Sequence, residues 1–129
     1  MQVIQQKGVD MKFDNNIPIY IQLVEEIKKD IISGRILPGE RLSSVRELAL
    51  QMKVNPNTMQ KALQELESIG LIYTERTNGK YVTTDKKLID KYRGEYALNL
   101  SNKYFTDMES IGFTKEEVLN YLKGKGDIK

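Results

Sequence analysis

The chain has 129 residues, is 40% hydrophobic and 29% charged, carries a net charge of +2, and contains neither cysteine nor histidine. That composition suits one domain of ordinary size, or a small domain with a helical appendage. It excludes a disulfide framework, a thiolate metal site and the commonest general base.

The first residues, MQVIQQKGVD, lack the basic-then-apolar layout of a signal peptide, and no apolar run approaches the length of a membrane span. A cytoplasmic protein without a membrane partner is expected. Residues 1–12 show no periodicity and read as a flexible N-terminal arm, with Met11 as an alternative start. Pro18 then opens a helical pattern, in which Tyr20, Leu23, Val24, Ile27 and Ile31 form one apolar stripe. Gly34 suits the left-handed position that ends a helix. Pro38-Gly39 is a turn signal, because proline presets φ and glycine accepts a positive one.

Ser44-Val45-Arg46-Glu47 has the form of a capping box, in which the serine oxygen accepts from the Glu47 N–H and the glutamate reaches back. It predicts a helix of about two turns with Val45, Leu48, Ala49 and Met52 inward, ending at Lys53. In VNPNTMQKALQEL, Asn55 is a good N-cap and Pro56 falls at the first helical position, where its missing N–H costs nothing. Proline therefore starts this helix rather than breaking it. Met59, Ala62, Leu63, Leu66 and Ile69 supply its buried stripe and Gly70 closes it. A short helix, a turn of about three residues and a longer helix make a helix-turn-helix.

Asn78-Gly79 lies between two β-prone runs, Leu71 to Arg76 and Lys80 to Thr84, and predicts a hairpin that serves as a wing. Asp85 can cap a long final pattern. There Ile89, Tyr92, Tyr96, Leu100, Tyr104, Met108 and Ile111 recur at spacings of three or four, with Gly94 a weak point costing about 1 kcal/mol relative to alanine. After Gly112, a Thr114/Glu117 capping box and a Phe113–Val118 staple predict a short last helix to about Lys123.

Charge is unevenly spread. Arg41, Arg46, Lys53 and Lys61 face only Glu47 between residues 41 and 61, a local net of +3, whereas residues 13–40 carry a net of −2. A basic stretch on a nearly neutral chain fits phosphate contact, and it also fits an ordinary solvated surface.

With PIYIQLVEEIKKDIISGRILPGERL, SSVRELALQMKVNPNTMQKALQELESIGLI and GKYV in view, the chain resembles GntR-type regulators of the short YtrA-like kind over roughly Ile17 to Thr83. The resemblance implies a winged helix-turn-helix that binds double-stranded operator DNA as a dimer, usually to repress. The short tail implies the YtrA-like subgroup, often linked to transporter operons. Two departures stand out. The usual Leu-Pro-Ser-x-Arg is Leu42-Ser43-Ser44-Val45-Arg46 here, and of the usual Gly-x-Gly wing tip only Gly79 is kept.

On the helix starting at Pro56, Asn57, Thr58, Gln60, Lys61 and Gln64 lie at or near the outer face. Their amides can pair with adenine, and the lysine can reach guanine or phosphate. The other reading is that they simply solvate an exposed face. The resemblance implies that Arg46 contacts DNA, while an ion pair with Glu47 or another acid is the structural alternative. Arg41, Arg76 and Lys80 are candidate backbone contacts, and Ser44 is a cap first and a phosphate contact second. Asn55, Asn78 and Gly79 complete the expected surface.

The apolar stripe from Ile89 to Ile111 is expected to form a homodimer interface, with packing inside one chain as the alternative. A two-fold dimer would set two recognition helices about 34–36 Å apart on an inverted repeat. The expected fold is thus mainly α with a small β-wing: a winged helix-turn-helix over 13–84, then a two-helix dimerisation segment over 85–129. No catalytic residue, metal site or cofactor is expected, since Glu25-Glu26 and Glu116-Glu117 are adjacent pairs that do not converge. No residue cluster marks an effector site. The competing function is a winged-helix module that binds protein instead of DNA.

Overall fold

A computed structural model describes residues 12–124. All but the last residue of the expected 1–12 arm, Met11 included, and the tail after Gly124 lie outside the described residues. Seven elements follow in order: helices α1 (Ile19–Ile32), α2 (Val45–Met52) and α3 (Pro56–Ser68), strands β1 (Ile72–Glu75) and β2 (Gly79–Val82), and helices α4 (Lys86–Ser110) and α5 (Lys115–Gly124). The fold is mainly helical with a two-stranded wing ahead of two C-terminal helices, as expected. The described residues group into two compact units, divided between Tyr92 and Arg93.

In the first unit α3 packs on both α1 and α2. Pro18 stands at the N-cap of α1 and offers no side-chain cap. The Gln22 amide fixes the approach instead. Its Oε1 accepts from the Asp14 N–H, and its Nε2 donates to the carbonyls of Asp14 and Ile17, all at 2.8 Å. Leu23, Ile27 and Ile31 of α1 meet Leu48 of α2 and Met59, Leu63 and Leu66 of α3 in a fully buried core. Each such side chain contributes roughly 1.5–3 kcal/mol relative to exposure. Tyr20, Val45, Met52 and Ile69 were expected in that core but are only half-buried, at its rim.

The helix starts follow the sequence. Ser44 Oγ accepts from the Glu47 N–H and Glu47 Oε1 accepts from the Ser44 N–H, each at 3.1 Å. Asn55 Oδ1 accepts from the Asn57 N–H at 2.7 Å, with Pro56 at the first helical position. Asp85 Oδ1 accepts from the N–H groups of Lys87 and Leu88. The turn between α2 and α3 depends on Lys53 at φ 58, among the described residues the only non-glycine with positive φ. That conformation crowds Cβ against the backbone. Lys53→Gly is therefore expected to raise stability by about 0.5–1 kcal/mol. A higher urea midpoint at unchanged m-value would show it, and an unmoved midpoint would deny that strain is stored there.

The wing differs in detail from the sequence expectation. The strands pair antiparallel with Ile72 opposite Val82, Tyr73 opposite Tyr81, Thr74 opposite Lys80 and Glu75 opposite Gly79. Both are shorter than expected, and Gly79 belongs to β2 rather than to a two-residue turn. The loop is Arg76-Thr77-Asn78, closed by the Asn78 N–H donating to the Glu75 carbonyl at 3.3 Å, after which Gly79 adopts φ +97. Glycine thus takes the left-handed conformation immediately after the turn, at no Cβ penalty. Residues 39–42 run along the other edge of β2. Gly39 N–H donates to Val82, Val82 N–H to Glu40 and Leu42 N–H to Lys80, each at 2.9 Å.

The stripe on α4 is broad rather than a narrow seam. Tyr92, Tyr96, Leu100, Tyr104 and Met108 are spaced by four, and each such step overshoots a turn by about 40°. Four steps swing the line about 160° around the helix. Ile89, at the proximal end, is 8% exposed and is buried within its own chain, so it is not available to a partner. Leu88 stands over Gly70, and the Tyr92 ring lies 5.3 Å from the Lys28 ammonium. The first two turns of α4 thus belong with the winged unit.

In the second unit Gly112 ends α4 at φ +98, with the Phe113 N–H donating to the Met108 carbonyl at 3.1 Å. The Thr114/Glu117 capping box forms at 3.1 and 2.9 Å. Val118 is fully buried, and Phe113 packs edge-on against Tyr121 at 5.9 Å. Leu98, Leu100 and Ile111 remain 60–70% exposed, and Tyr104, Leu119, Tyr121 and Leu122 are also exposed.

Candidate nucleic-acid interface

The buried residues of α3 define its outer face. At about 100° per residue, Asn57, Lys61 and Gln64 fall opposite the Met59–Ala62–Leu63–Leu66 face, and all three are exposed. Thr58 and Gln60 flank this row and are half-buried. Lys61 does not simply extend outward: its ammonium stands 4.1 Å from the centre of the Tyr20 ring of α1. Asn55 uses its side-chain oxygen as the cap, which leaves its amide N–H groups at the exposed start of α3.

Arg46 is exposed on the first turn of α2. The expected alternative, an ion pair with Glu47, is not formed, because the Glu47 carboxylate closes the capping box instead. Among the described residues no carboxylate pairs with Arg46. Its position near the positive end of the α2 dipole costs stability, and no carboxylate among the described residues offsets that cost. Ser44 is occupied as the cap.

The wing separates its cations. Arg76 and Asn78 are exposed in the hairpin loop. Lys80, expected as a backbone contact, is turned inward: its ammonium lies 3.5 Å from Glu67 Oε1 on α3 and donates to Thr74 Oγ1 at 3.0 Å. The cause is strand alternation. Lys80 shares a face with Val82, and Val82 is fully buried, so the lysine points toward α3. Alternation in GKYV could have revealed this from sequence. Arg41 is exposed and lies against Gly79.

Sequence reasoning therefore placed α3, its cap and Arg46 on one structural unit, but missed Tyr20 and Glu67 as partners of two of its lysines. Neither contact leaves a local signal, since each joins residues on different elements.

The pattern described as "Bacterial regulatory proteins, gntR family" matches residues 19–82, the span that holds α1 to β2. A GntR family transcriptional regulator from Listeria monocytogenes is 40% identical with a TM-score of 0.77, over 87% of this chain and 98% of that one. The HTH-type regulator YhcF of Bacillus subtilis (strain 168) is 34% identical over 115 residues, 89% of this chain and 95% of its own length. The chain belongs to the GntR family of bacterial regulatory proteins. Two further members are similar over the winged region. The HTH-type transcriptional repressor YtrA of Bacillus subtilis (strain 168) is 42% identical over 73 residues, 57% of this chain and 56% of YtrA. AraR(DBD), crystallised in complex with operator ORR3, is 35% identical with a TM-score of 0.50, over 58% of this chain and 88% of that one. Membership gives the GntR chain a function in regulation rather than catalysis. No helix among the described residues is long and apolar enough to cross a membrane.

Proposed function

We propose that this GntR-family chain is a cytoplasmic transcriptional repressor of the short YtrA-like kind, which binds an inverted-repeat operator in double-stranded DNA as a homodimer. The observation that carries DNA reading is the two-faced α3: its inner residues are fully buried, while Asn57, Lys61 and Gln64 form an exposed polar row. Asn57 and Gln64 match adenine edges, and the first turn of such a helix meets bases in the major groove. Arg46 and Arg76 are backbone contacts, with Thr58, Gln60, Asn55, Ser44 and Asn78 bordering the surface. The operator complex of the similar AraR(DBD) supports the DNA partner, and the name of YtrA supports repression.

Dimerisation is supported by the exposed apolar residues of 93–124, among them Leu98, Leu100 and Ile111. Exposed apolar side chains concentrated in so short a unit favour an interface there. The working division is a winged unit through Tyr92 followed by a dimerisation segment. Ile89 passes to the winged unit, and Tyr96, Leu100, Tyr104, Met108 and Ile111 remain as interface candidates, with Tyr92 at the border.

Footprinting on the chain's own promoter region tests the reading directly. Protection of two half-sites centred about 10 base pairs apart is expected, with affinity falling steeply as salt rises. A protein-binding winged helix would protect nothing. Sedimentation of the full chain at tens of micromolar is expected to give a dimer, and a monomer there would remove the dimer from the proposal.

A further inference from the structure

The wing's outer face carries a cation that does not come from the hairpin. Arg41 lies in the segment before α2, and its backbone bridges Tyr81 of β2. Two residues back along β2, on the same face, is Gly79. A Cβ built on Gly79 would lie 3.3 Å from both Nε and Nη2 of Arg41 and 3.8 Å from its Cζ. The guanidinium thus rests against the glycine backbone, in the diagonal position that long side chains reach across paired strands. Gly79 is favoured by its φ of +97, and a Cβ there would also press on the Arg41 guanidinium at 3.3 Å and displace it from this seat.

Lys80 is the contrasting case. It is 18% exposed at its side chain and held by Glu67 and Thr74, so it ties the wing to α3. Arg41 is exposed, and among the described residues no carboxylate pairs with it. Glu75, opposite Gly79 in the register, shares its face without forming an ion pair.

We propose that Arg41, seated on Gly79, is a second phosphate-binding group of the wing beside Arg76, and that Gly79 is a positioning residue whose missing side chain leaves room for the guanidinium. This rests on the DNA-binding reading above. The planar fork of an arginine matches two phosphate oxygens at once. A guanidinium already laid against backbone loses less freedom when it makes that contact.

The test is anisotropy titration of the full chain on the protected duplex across a salt series, with thermal melting of each variant alongside. Arg41→Ala is expected to reduce the slope of log K against log salt by about one unit per wing, hence about two in a dimer, at unchanged melting temperature. Lys80→Ala is expected to lower the melting temperature and leave the slope alone. Gly79→Ala is expected to reproduce the Arg41→Ala loss and to add nothing to it in the double variant. Should Gly79→Ala fail to fold, Arg41→Lys replaces it: the point charge should restore the slope without restoring the affinity. A wild-type slope in Arg41→Ala, or additive losses in the double variant, would overturn the proposal while the DNA reading stands. A full chain that binds no duplex would overturn both.

Discussion

Ending the chain after Tyr92 is expected to leave a folded winged unit whose operator affinity is roughly 10²–10⁴-fold weaker than that of the full chain. The fold side follows from burial. The core of α1, α2 and α3 lies wholly before that point, and the first turns of α4 are part of the same compact unit. A cut at Thr84 would be worse, because it removes buried Ile89 and the Leu88 side chain that stands over Gly70. The affinity side follows from bivalency. In a dimer, the second half-site is bound at the effective concentration set by the first, whereas a monomer binds each half-site independently. The shortened chain should melt cooperatively, sediment as a monomer and shift DNA only at much higher concentration. Full affinity in a monomeric shortened chain would show that residues 93–129 contribute nothing to operator binding.

Local physics made much of this fold legible in the sequence. Caps are decided within four residues, so the Ser44/Glu47, Asn55/Pro56, Asp85 and Thr114/Glu117 starts were readable and formed. Gly34, Gly39, Gly70 and Gly112 all take the positive φ that their positions asked for. The outer face of α3 was readable because its inner face is a clean apolar stripe. Non-local geometry was not readable in the same way. The Lys61–Tyr20 and Arg41–Gly79 contacts join distant parts of the chain, and nothing in either neighbourhood announces the other. Two misreadings had a local remedy. Strand alternation assigns Lys80 to the inward face with Val82, and the 3.6-residue turn shows that a line of four-residue steps winds around α4. Spacing alone suggested a narrow stripe there, and angle widens it to an arc of about 160°. The exposed apolar residues that support a dimer are consequently spread over α4 and α5 rather than aligned on one ridge.

Arg46→Ala and Asn57→Ala should each weaken operator binding by roughly 5–150-fold, the equivalent of about 1–3 kcal/mol per good contact. The two losses should differ in kind. Asn57 is exposed on the first turn of α3, where its amide can pair bidentately with an adenine. Its removal should relax discrimination at one position of each half-site and leave the salt slope alone. Arg46 is an exposed cation, and its removal should weaken binding across sequences and reduce the salt slope. It also sits near the positive end of the α2 dipole, with no carboxylate partner among the described residues and with Glu47 committed to the cap. Arg46→Ala should therefore stabilise the free protein, by about 0.3–1 kcal/mol at low ionic strength, while it weakens the complex. Gln60→Ala, on the half-buried flank of α3, should weaken binding less than Asn57→Ala. The opposed signs at Arg46 separate function from structure: a residue kept for stability loses both when truncated. Calorimetric melting and operator titration of the same Arg46→Ala preparation decide between them. A variant that melts earlier and binds DNA as the wild type does would place Arg46 in the fold and take it out of the interface.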